Sequence, residues 1–205
     1  MVTRKPGARA PTVARAGRER VLRIIGGTWR GRKLRFPASA AIRPTPDRVR
    51  ETLFNWLAGA VPGARCLDLF AGSGALGLEA LSRGAAAVTF VEHDVAAARE
   101  LSARLSEWGA SGGTVERCDA LEYLRGTARR FDIVFLDPPF AAGLVPAAAE
   151  LLAGGSWLDP HARLYVECPA RPGPPQVPAV FHILKSKRAG EVGYHLYDYS
   201  PAPPD

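Results

Sequence analysis

The chain has 205 residues, of which 47% are hydrophobic and 23% charged, and it carries a net charge of +7. This composition is ordinary for a soluble, single-domain globular protein with a sizeable core. No apolar run approaches the roughly 18 residues of a membrane span, so no membrane partner is expected. The three cysteines are far apart without Cys-x-x-Cys spacing, which indicates neither a disulfide framework nor a metal site and fits a cytoplasmic protein.

The positive charge is concentrated at the start of the chain. Residues 1–50 contain 14 lysines and arginines against two acids, whereas residues 51–205 contain 13 against 18. A basic end of this kind favours a polyanion partner such as a nucleic acid, although many basic tails are only solvated. Residues 1–20 have few large apolar side chains and no periodicity, so they predict a disordered tail.

Residues 21–36 contain two strand-like runs around a glycine pair and predict a β-hairpin. We interpret residues 21–44 as a small RNA-binding extension, because cationic side chains beside an aromatic ring suit phosphate contacts and base stacking. The hairpin residues predicted to contact RNA are Trp29, Arg30, Arg32, Lys33 and Arg35. The alternative is a solvated hairpin face with Trp29 in the core.

The segment from Arg43 leads into a predicted helix. Thr45 is a candidate N-cap, and Pro46 suits the first helical position. Four apolar residues form one stripe along this helix, namely Val49, Leu53, Phe54 and Leu57. The three arginines of this segment are not part of the apolar stripe, and we predict that they also contact RNA: Arg43, Arg48 and Arg50.

Residues 65–84 combine a short apolar strand, a glycine-rich turn and the start of a helix. Gly72 and Gly74 allow positive φ and close approach of a ligand to the backbone, and the helix N-terminus offers unpaired N–H groups. Taken alone, Gly72-x-Gly74-x-x-Gly77 fits a nicotinamide or flavin site as well as a methyl-donor site. It also fits a tight turn that binds no ligand.

The alternation of strands and helices continues to residue 168, and residues 180–185 and 192–199 predict two final strands. This pattern predicts an α/β domain over residues 45–200, with a mostly parallel sheet, helices on both faces and an antiparallel C-terminal hairpin. Acids follow four successive strands, namely Asp68, Glu92, Asp119 and Asp137. Ligands of open α/β sheets bind beyond this edge, and an acid placed like Glu92 commonly accepts hydrogen bonds from a ribose.

The most specific feature is the tetrapeptide Asp137-Pro138-Pro139-Phe140. Its two prolines stiffen the loop and remove two donors, so that a carboxylate and a carbonyl can accept hydrogen bonds from an amino group. Phe140 offers a ring on which a planar base can stack. Together with the Phe-Ala-Gly-Ser-Gly loop, this tetrapeptide resembles those of class I S-adenosylmethionine-dependent amino-methyltransferases.

The resemblance extends to the RsmD family, whose members methylate the exocyclic amine of a guanine in 16S ribosomal RNA. Residues 23–34 read RIIGGTWRGRKL, residues 43–57 read RPTPDRVRETLFNWL, and residues 190–194 read GEVGY. The similarity covers about residues 21 to 199. It implies a Rossmann-like, seven-stranded methyltransferase fold, S-adenosylmethionine as cofactor, and ribosomal RNA or a small-subunit particle as partner. We expect a monomer.

The resemblance also implies roles for the residues of the site. Asp68 would serve the ammonium end of the cofactor, Glu92 its ribose, and Asp119 with Ala120 its adenine. The cofactor-binding residues are then Asp68, Phe70, Gly72, Ser73, Gly74, Glu92, His93, Asp119 and Ala120. The catalytic residues are Asp137, Pro138, Pro139 and Phe140.

Three alternatives stay open at the level of sequence. The first is an enzyme with the same chemistry that methylates the N6 amine of adenine in DNA or another nucleic-acid amine. A second is a dehydrogenase that uses the glycine loop. The third is an RNA-binding protein without activity, against which the intact set of acids argues.

Overall fold

A computed structural model of the chain describes residues 19–37 and 45–201. Most of the predicted tail, and Arg43 with it, lies outside the described residues. The predicted N-terminal hairpin is confirmed as the antiparallel pair β1 (Glu19–Arg23) and β2 (Lys33–Pro37). Its first strand begins at Glu19, inside the segment predicted as tail.

The remainder of the described chain alternates helices and strands. The helices are α1 (Asp47–Trp56), α2 (Ala75–Ser82), α3 (Val95–Glu107), α4 (Ala120–Arg125) and α5 (Val145–Gly154). The strands are β3 (Arg65–Asp68), β4 (Ala87–Val91), β5 (Gly113–Glu116), β6 (Phe131–Leu136), β7 (Leu158–Pro169), β8 (Phe181–Ala189) and β9 (Val192–Tyr199).

These seven strands form one sheet in the order β5-β4-β3-β6-β7-β9-β8. Neighbouring strands from β5 to β7 are parallel, and β9 runs antiparallel to both of its neighbours. The predicted fold, a seven-stranded and mostly parallel Rossmann-like sheet that ends in an antiparallel hairpin, is confirmed. β8 extends to Ala189, beyond the end expected from the sequence.

Apolar side chains cover both faces of the sheet. One cluster joins the hairpin, α1, α2 and α3 to the sheet, and it contains the predicted stripe of α1, whose members are all buried: Val49, Leu53, Phe54 and Leu57. The second cluster packs α4 and α5 against the opposite face. Among the described residues, no helix is long and apolar enough to cross a membrane.

The hairpin is docked on α2 and does not project as a separate unit. The amides of Ile25 and Gly26 each donate to the Glu79 carboxylate over 2.8 Å, and the Trp29 amide donates to Ser82 Oγ over 2.9 Å. α2 begins beyond the carboxyl end of β3 and runs back along the sheet. The turn of the hairpin therefore lies about 12 Å, one length of α2, from the edge where the strands end.

Candidate active site

The topology brings the four predicted acids to one edge of the sheet. β5, β4, β3 and β6 are adjacent and parallel, so their carboxyl ends meet there. Asp68 is the last residue of β3, Glu92 and Asp137 directly follow β4 and β6, and Asp119 lies three residues after β5. This is the edge at which open α/β sheets bind their ligands.

The glycine loop between β3 and α2 is held in one shape by glycine geometry and by Asp68. Gly74 has φ of 74°, and a Cβ there would lie 2.5 Å from Leu101 Cδ1. A Cβ at Gly77 would lie 2.2 Å from the ring of Phe90, so α2 packs directly on β4. The Gly77 amide donates to Asp68 Oδ2 over 2.9 Å. Phe70 precedes the glycines and Ser73 lies between Gly72 and Gly74, and both are half-buried.

Burial raises the pKa of Asp68 from 3.8 to about 7. The Gly77 N–H opposes that rise, and the charges of Asp137 and Glu92 add to it. Asp68 thus lies in a poorly solvated region, where the neighbouring charges of Asp137 and Glu92 disfavour its ionisation. A positively charged ligand would relieve that repulsion.

Glu92 ties the glycine loop to the turn after β4. Its Oε2 accepts from the Gly72 amide and its Oε1 from the Asp94 amide, both over 2.7 Å. The side chain is 8% exposed, and each carboxylate oxygen retains a second lone pair for a ligand. The next residue, His93, is largely exposed, with Nδ1 3.3 Å from Glu92 Oε1.

Asp119 serves as the N-cap of α4. Its Oδ1 accepts from the amides of Leu121 and Glu122 over 2.8 and 3.1 Å. Oδ2 accepts no hydrogen bond from any other described residue, and Asp119 is exposed while Ala120 behind it is buried. A hydrogen-bond donor on a ligand could therefore donate to Oδ2 without disturbing the helix.

Asp137 directly follows β6 and opens the predicted catalytic loop. Pro138 is buried, Pro139 is exposed, and half-buried Phe140 begins the 3-10 turn Phe140–Ala142. Burial raises the pKa of Asp137 from 3.8 to about 6, against the opposing effect of a hydrogen bond from Thr45. The carboxylate is therefore close to its protonation boundary at neutral pH.

Thr45 and Glu167 belong to this site, and sequence reasoning missed both roles. The prediction that Thr45 caps α1 is wrong, because the N-cap is Pro46 and no side chain caps the helix. Thr45 Oγ1 instead donates to Asp137 Oδ2 over 2.9 Å and lies 2.9 Å from Glu167 Oε1. The Tyr165 hydroxyl donates to the same Oε1 over 2.8 Å.

The available signal for Glu167 was its place near the end of β7, the strand next to β6. The rule that selected the four other acids applies to this fifth strand too. Burial, together with the charge of Asp137, raises the pKa of Glu167 from 4.5 to about 8. Nothing in the local sequence around Thr45 separates a cap from a link between two distant carboxyls.

The basic residues of the hairpin remain candidates for RNA contact. The exposed ones are Arg30, Arg32, Lys33 and Arg35, and Arg48 on α1 is exposed too. Trp29 is half-buried, and its ring meets the ring of Trp108 edge-on with centroids 5.3 Å apart. The Arg32 guanidinium lies 5.2 Å from the Trp108 centroid, so part of this aromatic surface already has partners.

The prediction that Arg50 contacts RNA is wrong. Its side chain is fully buried, with Nη2 donating to Asp47 Oδ1 over 2.6 Å and to the Arg23 carbonyl over 2.8 Å. Nη1 lies 3.4 Å from the buried carboxylate of Glu79. Arg50 therefore joins α1 to the hairpin and to α2, and it cannot reach a phosphate from this position.

Within the described part of the chain, no cluster of three or more His, Cys, Asp or Glu side chains could hold a metal ion. The three cysteines, at 66, 118 and 168, are free thiols.

Comparison with known proteins decides the family. Residues 22–198 match the family described as Conserved hypothetical protein 95. Ribosomal RNA small subunit methyltransferase D of Escherichia coli strain K12 is 49% identical over 176 residues, which cover 86% of this chain and 89% of that protein. The protein of the same name from Haemophilus influenzae is 46% identical over 180 residues, covering 86% and 93%. The chain belongs to the RsmD family.

Solved structures agree with a methyltransferase fold. That of yhhF from Escherichia coli has a TM-score of 0.82 at 46% identity and covers 89% of this chain and 99% of its own. An RNA methyltransferase from Salinibacter ruber, solved in complex with S-adenosyl-L-homocysteine, has a TM-score of 0.60. At 16% identity, with 80% and 97% of the two chains covered, this second likeness concerns the fold alone.

Proposed function

We infer that this chain transfers a methyl group from S-adenosylmethionine to ribosomal RNA of the small subunit. The relatives that share 46–49% of its residues are named for that activity. We further propose that the acceptor is the exocyclic N2 amine of a guanine, and that the enzyme acts as a cytoplasmic monomer. The observation that carries the proposal is the Asp137-Pro138-Pro139-Phe140 loop, which adjoins the glycine loop at one sheet edge.

The chemistry of the site fits S-adenosylmethionine. The ligand carries a sulfonium, an ammonium and a carboxylate, hence a net positive charge. Among the ion pairs between described side chains, none joins a lysine or arginine to Asp68, Glu92 or Asp137. Asp68 would accept from the ammonium, Glu92 from the ribose hydroxyls, and Asp119 from the adenine amine. Phe70, Ser73, His93 and Ala120 would line the same groove.

Two oxygens of the catalytic loop can orient an exocyclic amine. S-adenosylmethionine, when bound, supplies an electrophilic methyl group on its sulfonium. The guanine amine is a poor nucleophile because its lone pair is delocalised into the ring. Asp137 and the Pro138 carbonyl would accept its two N–H groups, fix its direction and stabilise the positive charge that develops on nitrogen.

Phe140 would hold the target base once it has left its stack. It opens a short turn beyond the rigid proline pair and is half-buried, so part of the ring stays available to a planar partner. A base must be unstacked or flipped before its amine can reach Asp137. Stacking on an aromatic ring contributes about 1–3 kcal/mol per base and offsets part of that cost.

Transfer of tritiated methyl groups tests the proposed acceptor. The substrates are small subunits and naked small-subunit RNA from cells that lack the corresponding gene, with DNA as a separate substrate. We expect label in RNA, recovered after digestion as N2-methylguanosine. Label in adenine, or in DNA alone, would contradict the proposal and favour an adenine N6 methyltransferase, since the same loop can orient either amine.

The cationic hairpin should make RNA binding depend on salt. Each phosphate contact adds about 0.7 to 0.9 to the slope of log affinity against log salt concentration. Replacing Arg30, Arg32 and Lys33 with Gln should therefore lower the slope by about 2. The matched control replaces Arg125, Arg129 and Arg130 with Gln, which removes the same charge near α4 on the opposite face of the sheet. Equal slopes for both triple variants would mean that the hairpin charges are merely solvated.

A further inference from the structure

We propose that Thr45 and Glu167 are positioning residues: Glu167 carries the one carboxyl proton of its pair with Asp137 and, through the Thr45 hydroxyl, holds Asp137 ionised and oriented toward the acceptor amine. This inference rests on the proposed function of Asp137. Thr45 lies 92 positions before Asp137 in the sequence, and Glu167 lies 30 positions after it. Hydrogen bonds connect these residues in the order Tyr165–Glu167–Thr45–Asp137.

The number of hydrogens in this hydrogen-bonded series of oxygens determines how many protons the two carboxyls carry. Three short contacts link four oxygens: 2.8 Å from the Tyr165 hydroxyl to Glu167 Oε1, 2.9 Å from there to Thr45 Oγ1, and 2.9 Å on to Asp137 Oδ2. Each contact needs one hydrogen, but the two hydroxyls supply only two. The third hydrogen must be a carboxyl proton, so Glu167 and Asp137 together hold one proton.

The surroundings place that proton on Glu167. Glu167 is 3% exposed, whereas Asp137 is partly open at the end of its strand. Burial raises the pKa of Glu167 to about 8 and that of Asp137 only to about 6. With the proton on Glu167, each hydrogen bond points the same way: Tyr165 donates to Glu167, Glu167 to Thr45, and Thr45 to Asp137.

The other titratable groups near the pair do not offer a counter-charge. Asp68 on β3 adds negative charge beside Asp137, and Tyr165 and Cys168 on β7 have pKa values that Glu167 raises further. Tyr194, across from Glu167 on β9, interacts with Tyr165. Among the described ion pairs, none joins a lysine or arginine to either carboxyl. A shared proton is thus what keeps two neighbouring acids from both being charged.

The arrangement makes the rate of methyl transfer bell-shaped in pH. Below about pH 6, Asp137 gains its own proton and can no longer accept from the amine with a full charge. Above about pH 8, Glu167 loses its proton, the third hydrogen disappears, and Thr45 is left between two carboxylates. The rate should therefore fall on both sides of a plateau between these values.

Single-turnover rates with saturating S-adenosylmethionine, measured from pH 5 to 10, test the Thr45 link. Thr45→Val removes the hydroxyl at nearly constant volume and should lower the plateau rate about tenfold, the usual effect of one hydrogen bond to a charged group. Thr45→Ser keeps the hydroxyl and should restore most of that loss. If Thr45→Val and Thr45→Ser behave alike, the hydroxyl has no role in the reaction.

Two variants distinguish the effect of the Glu167 proton from the effect of its side-chain volume. Glu167→Ala should lower the plateau rate by a similar factor. Glu167→Gln should recover most of that loss, because its amide supplies a permanent hydrogen, and it should abolish the fall above pH 8. An unchanged alkaline fall in Glu167→Gln would overturn the proposal. Titration with S-adenosylhomocysteine and a melting curve for each variant identify any that fail to fold.

Infrared spectroscopy of the free protein tests the shared proton without the reaction. At pH 7 the wild type should show a protonated-carboxyl carbonyl band to which Asp68 also contributes; the part due to Glu167 should be lost in Glu167→Gln and persist in Asp137→Ala. Persistence of the whole band in Glu167→Gln would place the proton elsewhere. This spectrum needs no substrate. If the wild type methylates no guanine, the proposed function is refuted, but the spectrum still decides whether Glu167 carries the proton.

Discussion

Replacing Asp137 with Ala should lower the single-turnover rate of methyl transfer about 10²–10³-fold, the usual loss when one stabiliser of developing charge is removed. In the proposed mechanism the carboxylate faces the incoming amine, so its loss removes an acceptor that acts mainly when nitrogen becomes positive. Folding should survive, because a buried acid whose pKa burial has raised to about 6 is unfavourable in its charged form. Binding of S-adenosylhomocysteine should also survive, since Glu92 and the glycine loop are untouched.

Asp159→Ala provides the matched control for Asp137→Ala. Asp159 lies near the start of β7, at the opposite edge of the sheet, where it pairs with Arg65 and Arg130. Its removal deletes the same group far from the proposed site and should leave the rate within about twofold. A folded Asp137→Ala protein that binds S-adenosylhomocysteine and transfers methyl at the wild-type rate would show that the proposed active site is wrong.

The sheet and its acidic edge could be predicted because their signals are local. Short apolar runs marked the parallel strands, and the glycines at 72, 74 and 77 marked the turn into α2. Once alternation implied parallel strands, the acids that follow them had to meet at one edge. Even so, the acid on β7, Glu167, was missed because it lies two residues before the end of its strand, whereas the other four acids lie at a strand end or in the loop after it.

Thr45 shows where local chemistry gives the wrong answer. A threonine before Pro-Asp at a helix start is a reasonable N-cap, since its oxygen can accept from an early amide. Here two carboxyls from β6 and β7 meet at that point and compete for the hydroxyl. Both partners are more than 90 residues away in the chain, so no window around Thr45 contains them.

Arg50 was misassigned for the same reason. Basic side chains in a segment with few acids suggested a nucleic-acid surface, and Arg48 is exposed, as such a surface requires. The decisive partner of Arg50 is Glu79, 29 residues later on α2, and the Glu79 carboxylate also receives the hairpin amides of Ile25 and Gly26. Charge counting along the sequence cannot reveal which cation a fold will bury.

Arg50→Ala should lower the free energy of unfolding by about 3 kcal/mol. Removing one partner of a buried ion pair costs about 3–5 kcal/mol because the other charge is left uncompensated. The lower end applies here, since Arg83 Nε and two backbone amides still donate to Glu79. Urea denaturation at constant pH measures the change. Glu79→Gln should recover part of the loss in the Arg50→Ala background, because it removes the stranded charge.

Arg48→Ala is the control that separates a structural arginine from an RNA-binding one. Arg48 lies two residues away on α1 and is exposed, so its replacement should change the free energy of unfolding by less than about 0.5 kcal/mol. Its effect should instead appear in RNA binding, as a salt slope lower by about 0.7 to 0.9. Arg50→Ala, assayed where it is folded, should keep the wild-type slope. A lower slope for Arg50→Ala together with unchanged stability would restore Arg50 to the RNA surface and contradict its burial between α1, α2 and the hairpin.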